Sequence, residues 1–314
     1  MKVAYVGNFN PEHSTENHVR RALESLDVEV VRLQESEYDW TNLKADTRGA
    51  DFMLWTRTAG YDPPDMDGQW LAVKSLGIPT VGYHLDRFWG ILGDGRQHAI
   101  NRSVFFHQDL LCTADGGHQQ EWGDAGVNHK WFPPAVLREE AQLGDPQDRW
   151  RADIAFVGNL TSYGHVEWQN YRRRLYKYLS GRYRRNRFRV FPGGHQPGIR
   201  GKDLQDLYAS VKVVVGDSCL AGGIERYWSD RIPETCGRGG FLIHPEVVGL
   251  ASEFPHLVTY PLDNFAKLGT IIDRYLADDG ERERVAKLNR EWVLDGHTYQ
   301  HRMVRLIAEI KQLG

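Results

Sequence analysis

Apolar and polar positions fall into two stretches of short buried runs alternating with longer amphipathic ones. Val3-Ala4-Tyr5-Val6 closes on Gly7-Asn8. An apolar run ended by glycine reads as a parallel strand feeding a tight turn. Val19, Ala22, Leu23 and Leu26 then recur at helical spacing. Further strands are expected at 28–33, 51–56, 78–83 and 110–113, with a helix over 70–76 stopped by Gly77. Strand–helix alternation of this kind predicts a doubly wound parallel sheet.

Residues 139–151 break the rhythm. They are polar, contain Gly144 and Pro146, and lack an apolar period, so they read as a linker. After them the opening returns: Ile154-Ala155-Phe156-Val157-Gly158-Asn159 repeats Val3-Ala4-Tyr5-Val6-Gly7-Asn8. Helices are expected at 166–181, 204–208, from 231, and at 264–277, 281–294 and 298–312. Strands are expected at 188–191, 211–215 and 240–244. The division is an N-terminal domain over 1–138, a linker over 139–151 and a C-terminal domain over 152–314, whose last helix can pack back on the first domain. Two Rossmann-like α/β domains, with strand C-termini facing a central cleft, are the expected architecture, because open parallel sheets bind ligands there.

Composition narrows this picture only slightly. The 314 residues are 41% hydrophobic and 26% charged, globular values, and a formal net charge of -3 does not advertise nucleic acid or membrane. Cys112, Cys219 and Cys236 form no C-x-x-C pair and make an odd count, which suits a reducing compartment. No apolar run approaches about 18 residues. No charged leader precedes the first strand, so a cytoplasmic location is expected.

Motifs are concentrated in the second half. Val215-Gly216-Asp217-Ser218 is followed by Tyr227-Trp228-Ser229-Asp230-Arg231-Ile232-Pro233-Glu234, then Gly237-Arg238-Gly239-Gly240-Phe241-Leu242, and finally His297-Thr298-Tyr299-Gln300-His301-Arg302. This R-x-x-E / G-G-F-L / H-T-Y-x-x-R series resembles the C-terminal donor domain of group 1, family-4-like glycosyltransferases of the GT-B fold. The resemblance covers residues 150–314. Over 1–150 it is a likeness of fold, helped by Lys130-Trp131-Phe132-Pro133-Pro134-Ala135.

The resemblance implies a nucleoside-diphosphate sugar as donor, UDP-sugar first among them, with no cofactor. It gives Glu234 the ribose hydroxyls and implies retention of anomeric configuration. The residues support such a site on their own chemistry. Arg231 carries a fixed charge suited to a diphosphate leaving group. Ser229 can cap the helix and present N–H groups to phosphate. Gly158 and Asn159 open a βα turn of the kind that cradles phosphate. His195, in Pro192-Gly193-Gly194-His195, follows a strand and is placed by the base, with Arg200 and Lys202 as further phosphate contacts. Glu225 is a donor-sugar candidate, although eight residues separate it from Glu234 where relatives have seven. The ordinary alternative is a helix cap with a surface Arg–Glu pair.

On the acceptor side, Tyr83-His84-Leu85-Asp86 ends a strand of the first half. His84 or Asp86 can orient an acceptor hydroxyl or act as base, which an inverting enzyme would need. Gly7, Asn8 and His13 are further acceptor contacts. His84, Asp86 and Arg231 form the catalytic set. Asp65-Met66-Asp67 matches a metal-binding D-x-D as a string, but no strand leads into it, so no metal is expected. Arg172, Arg173, Arg174, Lys177, Arg182, Arg184, Arg185, Arg187 and Arg189 lie within 172–189 without an acid among them. They suit a polyanion such as a modified DNA acceptor, the first arginines of the run facing the donor diphosphate, or a solvated face balanced by acids from elsewhere. A nucleotide-sugar epimerase and a non-catalytic sugar- or nucleic-acid-binding relative are the competing functions.

Overall fold

The computed structural model describes residues 1–57, 66–86, 103–158, 166–184, 187–192, 198–218 and 226–313, with the backbone alone at 66–67 and 166–169. It separates into two compact units, Met1–Pro133 with Tyr299–Gly314, and Pro134–Thr298.

The first unit runs β1 (Lys2–Gly7), α1 (Thr15–Glu24), β2 (Glu29–Gln34), α2 (Leu43–Thr47), β3 (Phe52–Thr56), α3 (Met66–Lys74), β4 (Thr80–His84), β5 (Leu110–Thr113), α4 (Gln119–Asp124) and β6 (His129–Trp131). Its strands pair in parallel in the order β2-β1-β3-β4-β5-β6. Every residue of β3 is buried, as a strand covered on both faces requires, whereas edge strand β2 keeps polar positions outward. Ser14 caps α1 by accepting from the Asn17 N–H, and the Asn17 amide ties down the carbonyls of Phe9 and Pro11. The loop after β1 is thus fixed against the first turn of its helix.

The second unit runs β7 (Ala152–Val157), α5 (Val166–Arg182), β8 (Phe188–Phe191), α6 (Gly201–Ser210), β9 (Val211–Val215), α7 (Arg231–Gly237), β10 (Leu242–Pro245), α8 (Leu250–Glu253), β11 (Val258–Tyr260), α9 (Phe265–Ala277) and α10 (Asp279–Gly296). Its five strands are parallel in the order β11-β10-β9-β7-β8. The core lies between sheet and helices, with Ile154, Phe156, Val213, Val215 and Ile243 meeting Tyr171, Leu175, Leu268 and Ile272.

Each sheet has one place where the strand order reverses: between β1 and β3 in the first unit, and between β7 and β9 in the second. There the outgoing connections leave toward opposite faces and open a crevice beyond the strand C-termini.

One boundary differs from the sequence expectation. Residues 139–151 are built into the second unit. The Asp145 N–H donates to Asp206, the Gln147 N–H to Ser210 Oγ, and the Gln205 amide to the Glu140 carbonyl. A Cβ on Gly144 would lie 2.2 Å from the Gln205 carbonyl carbon, so only glycine lets the segment lie on α6. The segment is polar because its backbone bonds to a helix, not because it is a tether. The terminal helix α11 (Tyr299–Ile310) groups with the first unit. Tyr299, Arg302, Met303, Leu306 and Ile310 form its buried stripe; Arg302 Nε donates to the Pro133 carbonyl at 2.9 Å, and Lys130 pairs with Glu309. Short elements without strong periodicity, α2, α4, α8 and β11, were not expected from the apolar pattern.

Candidate functional site

The crevice between β7 and β9 is spanned by Arg231. From the first position of α7 its Nε donates to the Val157 carbonyl at the end of β7 at 2.9 Å. Its Nη1 donates to the Asp217 carbonyl, just past the end of β9, at 2.7 Å, and to Asp217 Oδ1 at 3.0 Å. Glycines at both strand ends make room for it. A Cβ on Gly158 would lie 2.6 Å from Arg231 Nη2, and one on Gly216 would lie 3.1 Å from Arg231 Cδ and 2.9 Å from Leu242 Cδ1. Gly158 also has φ 146°, which a side chain would strain.

Asp217 receives a second guanidinium. Arg172, on α5, donates from Nε to Oδ2 at 2.6 Å and from Nη2 to Oδ1 at 3.0 Å. The Arg172 and Asp217 side chains are 5% and 0% exposed, and that of Arg231 is 14% exposed. Both guanidinium carbons lie over the Phe156 ring, 5.6 Å and 5.5 Å from its centroid. Among the described residues, the two arginines and one aspartate of this cluster carry one net positive charge, in surroundings where water screens poorly. Nη2 of Arg231 faces Gly158, where β7 ends. This arrangement can hold an anion and stabilise a negatively charged leaving group.

A hydrogen-bonded chain holds the approach to α7. The Ser229 N–H donates to Ser218 Oγ at 3.0 Å, and Ser218 Oγ meets His244 Nε2 at 3.0 Å. His244 Nδ1 meets the Pro245 carbonyl at 2.8 Å. The carbonyl is an acceptor only, so Nδ1 carries the proton and Nε2 accepts from Ser218. Burial lowers the His244 pKa to about 4, so the ring is neutral.

Glu234, one turn into α7, pairs with Arg238 instead of Arg231, and the Arg238 Nη2 also reaches Glu140 at 3.0 Å. Ser229 does not cap the helix: Asp230 is the capping residue, and Ser229 Oγ donates to the Asp217 carbonyl at 3.3 Å. Lys202 is corrected from a phosphate contact to a clamp. Its ammonium bonds Asp145 at 2.7 Å and Asp206 at 2.5 Å, which pins the 139–151 segment to α6. Arg200 is exposed and turns back on the Ile199 carbonyl. Asn159, His195, Glu225 and Asp65, with the side chain of Asp67, lie outside the described residues.

In the first unit, Gly7 ends β1 against Glu16, whose Cγ would lie 2.7 Å from a Cβ there. Burial raises the Glu16 pKa. Asn8 Oδ1 accepts from Gln34 at 3.1 Å, and His13 is half-buried in the turn before α1. His84 ends β4 half-buried, with its ring 6.2 Å from Phe105, and Asp86 is exposed. Tyr83 is corrected from an acceptor contact to a core residue: it is fully buried, edge-on to Phe132. Alternation along the strand sends Tyr83 and His84 to opposite faces.

Four arginines of the arginine-rich stretch are matched by acids. Arg172 meets Asp217, Arg174 meets Asp263, Arg182 meets Asp273 and Arg187 meets Asp153, while Arg189 bonds the carbonyls of Arg149 and Arg151. No helix among the described residues is long and apolar enough to cross a membrane.

Sequence reasoning assigned no role to Asp217, Ser218, His244, Arg238 or Glu140. The available signal was position, because Asp217 and Ser218 follow a buried strand ending in glycine.

Two all-parallel Rossmann-like units, with a charged cluster at the second reversal point, define the GT-B class. A glycosyl transferase-like family model matches residues 144–308, more than half of the 314 residues, and the chain belongs to that family. It is a glycosyltransferase. The fold is similar to that of HepE from Anabaena, solved with UDP and glucose: TM-score 0.62, 10% identity, covering 98% of this chain and 99% of that one. It is also similar to a trehalose-6-phosphate synthase studied for glycosyl transfer with retention: TM-score 0.64, 10% identity, 99% of each chain. A third likeness is to a DNA-modifying β-glucosyltransferase: TM-score 0.54, 9% identity, 98% of this chain and 100% of that one. At such identities the likeness carries the fold alone. No curated protein sequence matches the chain.

Proposed function

We propose that the protein transfers a sugar from a UDP-sugar to an acceptor hydroxyl with retention, without a metal ion, and in the cytoplasm. The observation that carries this is Arg231 bridging the ends of β7 and β9, backed by Arg172 through Asp217. A fixed positive charge at a reversal point suits a diphosphate. In the reaction the bond between the anomeric carbon and the β-phosphate oxygen breaks and the acceptor oxygen bonds that carbon. The hydroxyl proton passes to the departing phosphate on the same face. Arg231, with Arg172 behind it, offsets the charge growing on the diphosphate, the work a metal ion does elsewhere. Gly158 lets the phosphate approach, and Glu234 takes the ribose. His84, Asp86, Asn8, Gly7 and His13, in the first unit, are assigned to the acceptor. Support for retention comes from the retaining synthase of like fold. Support for UDP comes from the UDP complex of HepE. Cys112 and Cys236 are free thiols, which suits the cytoplasm.

A second reading, for the acceptor, is a phosphodiester polymer such as modified DNA. It is favoured by Arg173, Lys177 and Arg184, which are exposed at spacings that share one side of α5 and its end, with no ion-pair partner among the described residues.

The test is UDP release from a panel of UDP-sugars, with and without acceptor and with and without EDTA. Release that needs acceptor and survives EDTA is expected; release abolished by EDTA refutes metal independence. A sugar isomer formed without release identifies an epimerase instead. For the polymer acceptor, affinity must fall steeply as salt rises; a flat response removes it.

A further inference from the structure

Arg238 is only 1% exposed and sits between two carboxylates. From the end of α7 it folds back one turn, its Nη1 donating to the Glu234 carbonyl at 3.2 Å and pairing with Glu234 Oε2. Its Nη2 donates to Glu140 Oε2 at 3.0 Å. Glu140 is itself held. Its N–H donates to the Leu137 carbonyl at 2.9 Å, and its own carbonyl accepts from Gln205. A Cβ on Gly237 would lie 3.0 Å from Val136 and 3.4 Å from Ala141, so α7 packs closely on the segment that carries Glu140.

One buried arginine needs one carboxylate for neutrality. A second carboxylate on the same guanidinium adds desolvation cost. Of the two, Glu140 is buried, while the Glu234 side chain keeps 16% of its surface exposed. A planar guanidinium can bind one carboxylate with each edge, which a lysine cannot. A glutamate on a helix otherwise samples several rotamers and must lose that freedom when a ligand binds. Holding it beforehand removes that loss from the binding step.

We propose that Arg238, anchored by Glu140, is a positioning residue that presents Glu234 to the ribose hydroxyls of the donor nucleotide, so that this pair sets discrimination between ribo- and 2′-deoxyribonucleotides. The proposal rests on the reading of Glu234 as the ribose contact. Arg238 and Glu140 act through Glu234 and do not touch the nucleotide.

The experiment titrates UDP and 2′-deoxy-UDP into the full chain by calorimetry, for the native protein and for Glu234→Ala, Glu140→Gln and Arg238→Met. The native protein should prefer UDP by about tenfold or more, the scale of a hydrogen bond to a charged group. Glu234→Ala should abolish the preference. Arg238→Met should bring it close to unity, and Glu140→Gln should reduce it several-fold, with affinity for 2′-deoxy-UDP retained in both. A native protein without preference, or an unchanged preference in Glu234→Ala, overturns the ribose reading and the proposal with it. A preference lost in Glu234→Ala but intact in both other variants overturns the positioning role alone. If Arg238→Met fails to fold by thermal melting, Glu140→Gln decides, because it keeps the shape and the Arg238–Glu234 pair. Turnover gives an independent readout: KM for the donor should rise with kcat little changed.

Discussion

Replacing Arg172 by methionine removes two of the three guanidinium hydrogen bonds that Arg172 and Arg231 make to the Asp217 carboxylate and leaves the one from Arg231. Breaking a buried ion pair costs about 3–5 kcal/mol, because a charge is left without compensation. Arg231 still partners Asp217, so the lower end, about 3 kcal/mol, is expected. In a domain of this size that lowers the melting temperature by about 6–12 °C. Asp217→Asn should cost a similar amount, since it leaves two guanidinium groups with no carboxylate between them. The double variant removes the Arg172–Asp217 pair whole and leaves only the Arg231 guanidinium without its carboxylate, so it should cost less than the two single changes added together, with a coupling energy of at least about 2 kcal/mol. Nucleotide affinity separates the single variants by sign. The cluster falls from one net positive charge to none in Arg172→Met and rises to two in Asp217→Asn. UDP should bind more weakly to the first and at least as tightly to the second. The assay is denaturant unfolding of all four proteins, with UDP titration of each. Single costs that add within about 0.5 kcal/mol would refute the coupled cluster, and equal weakening of UDP by both changes would refute the charge argument.

Other outcomes follow from the same geometry. Arg231→Met should lower kcat/KM by about 10²–10³-fold, the usual effect of removing one group that stabilises a developing anion; steady-state kinetics with a UDP-sugar checks this. Gly158→Ala should lower UDP affinity about tenfold and stability by about 1–3 kcal/mol, because its Cβ would lie 2.6 Å from Arg231 Nη2 and its φ is 146°; calorimetry and melting measure both. The folded chain holds His244 neutral, with its pKa lowered from 6.5 to about 4, so stability is unaffected above pH 6.5 and declines as pH falls toward about 4 while the unfolded chain takes up the proton. His129, lowered to about 3 by burial, adds to the same decline. His244→Asn should make the acid loss shallower by about 3 kcal/mol, read from unfolding curves between pH 7 and pH 4; an unchanged slope would refute the buried neutral imidazole.

The parallel sheets were legible in advance because strands covered on both faces must be apolar throughout. Val3 to Val6, Phe52 to Trp55 and Val213 to Val215 announce themselves in this way. Arg231 and Gly158 were singled out through a motif and through a glycine ending a strand, and both stand at the second reversal point. Lys202 was misread because a lysine after a strand looks the same whether it meets phosphate or Asp145 and Asp206. Tyr83 was misread because its neighbour His84 occupies the half-buried face of the same strand. The arginine run looked like an open patch because its acids, Asp153, Asp217, Asp263 and Asp273, are far away along the chain.

Period and punctuation are local properties. They were enough to establish two α/β halves and most of the strands within each. Pairing is not local. Arg172 meets Asp217 across 45 positions and Arg238 meets Glu140 across 98. Such contacts exist only once strand order has brought the ends of β7 and β9 together. Whether a given charge is a solvated surface group, a clamp or part of an anion site depends on what stands opposite it, and that was decided by the fold.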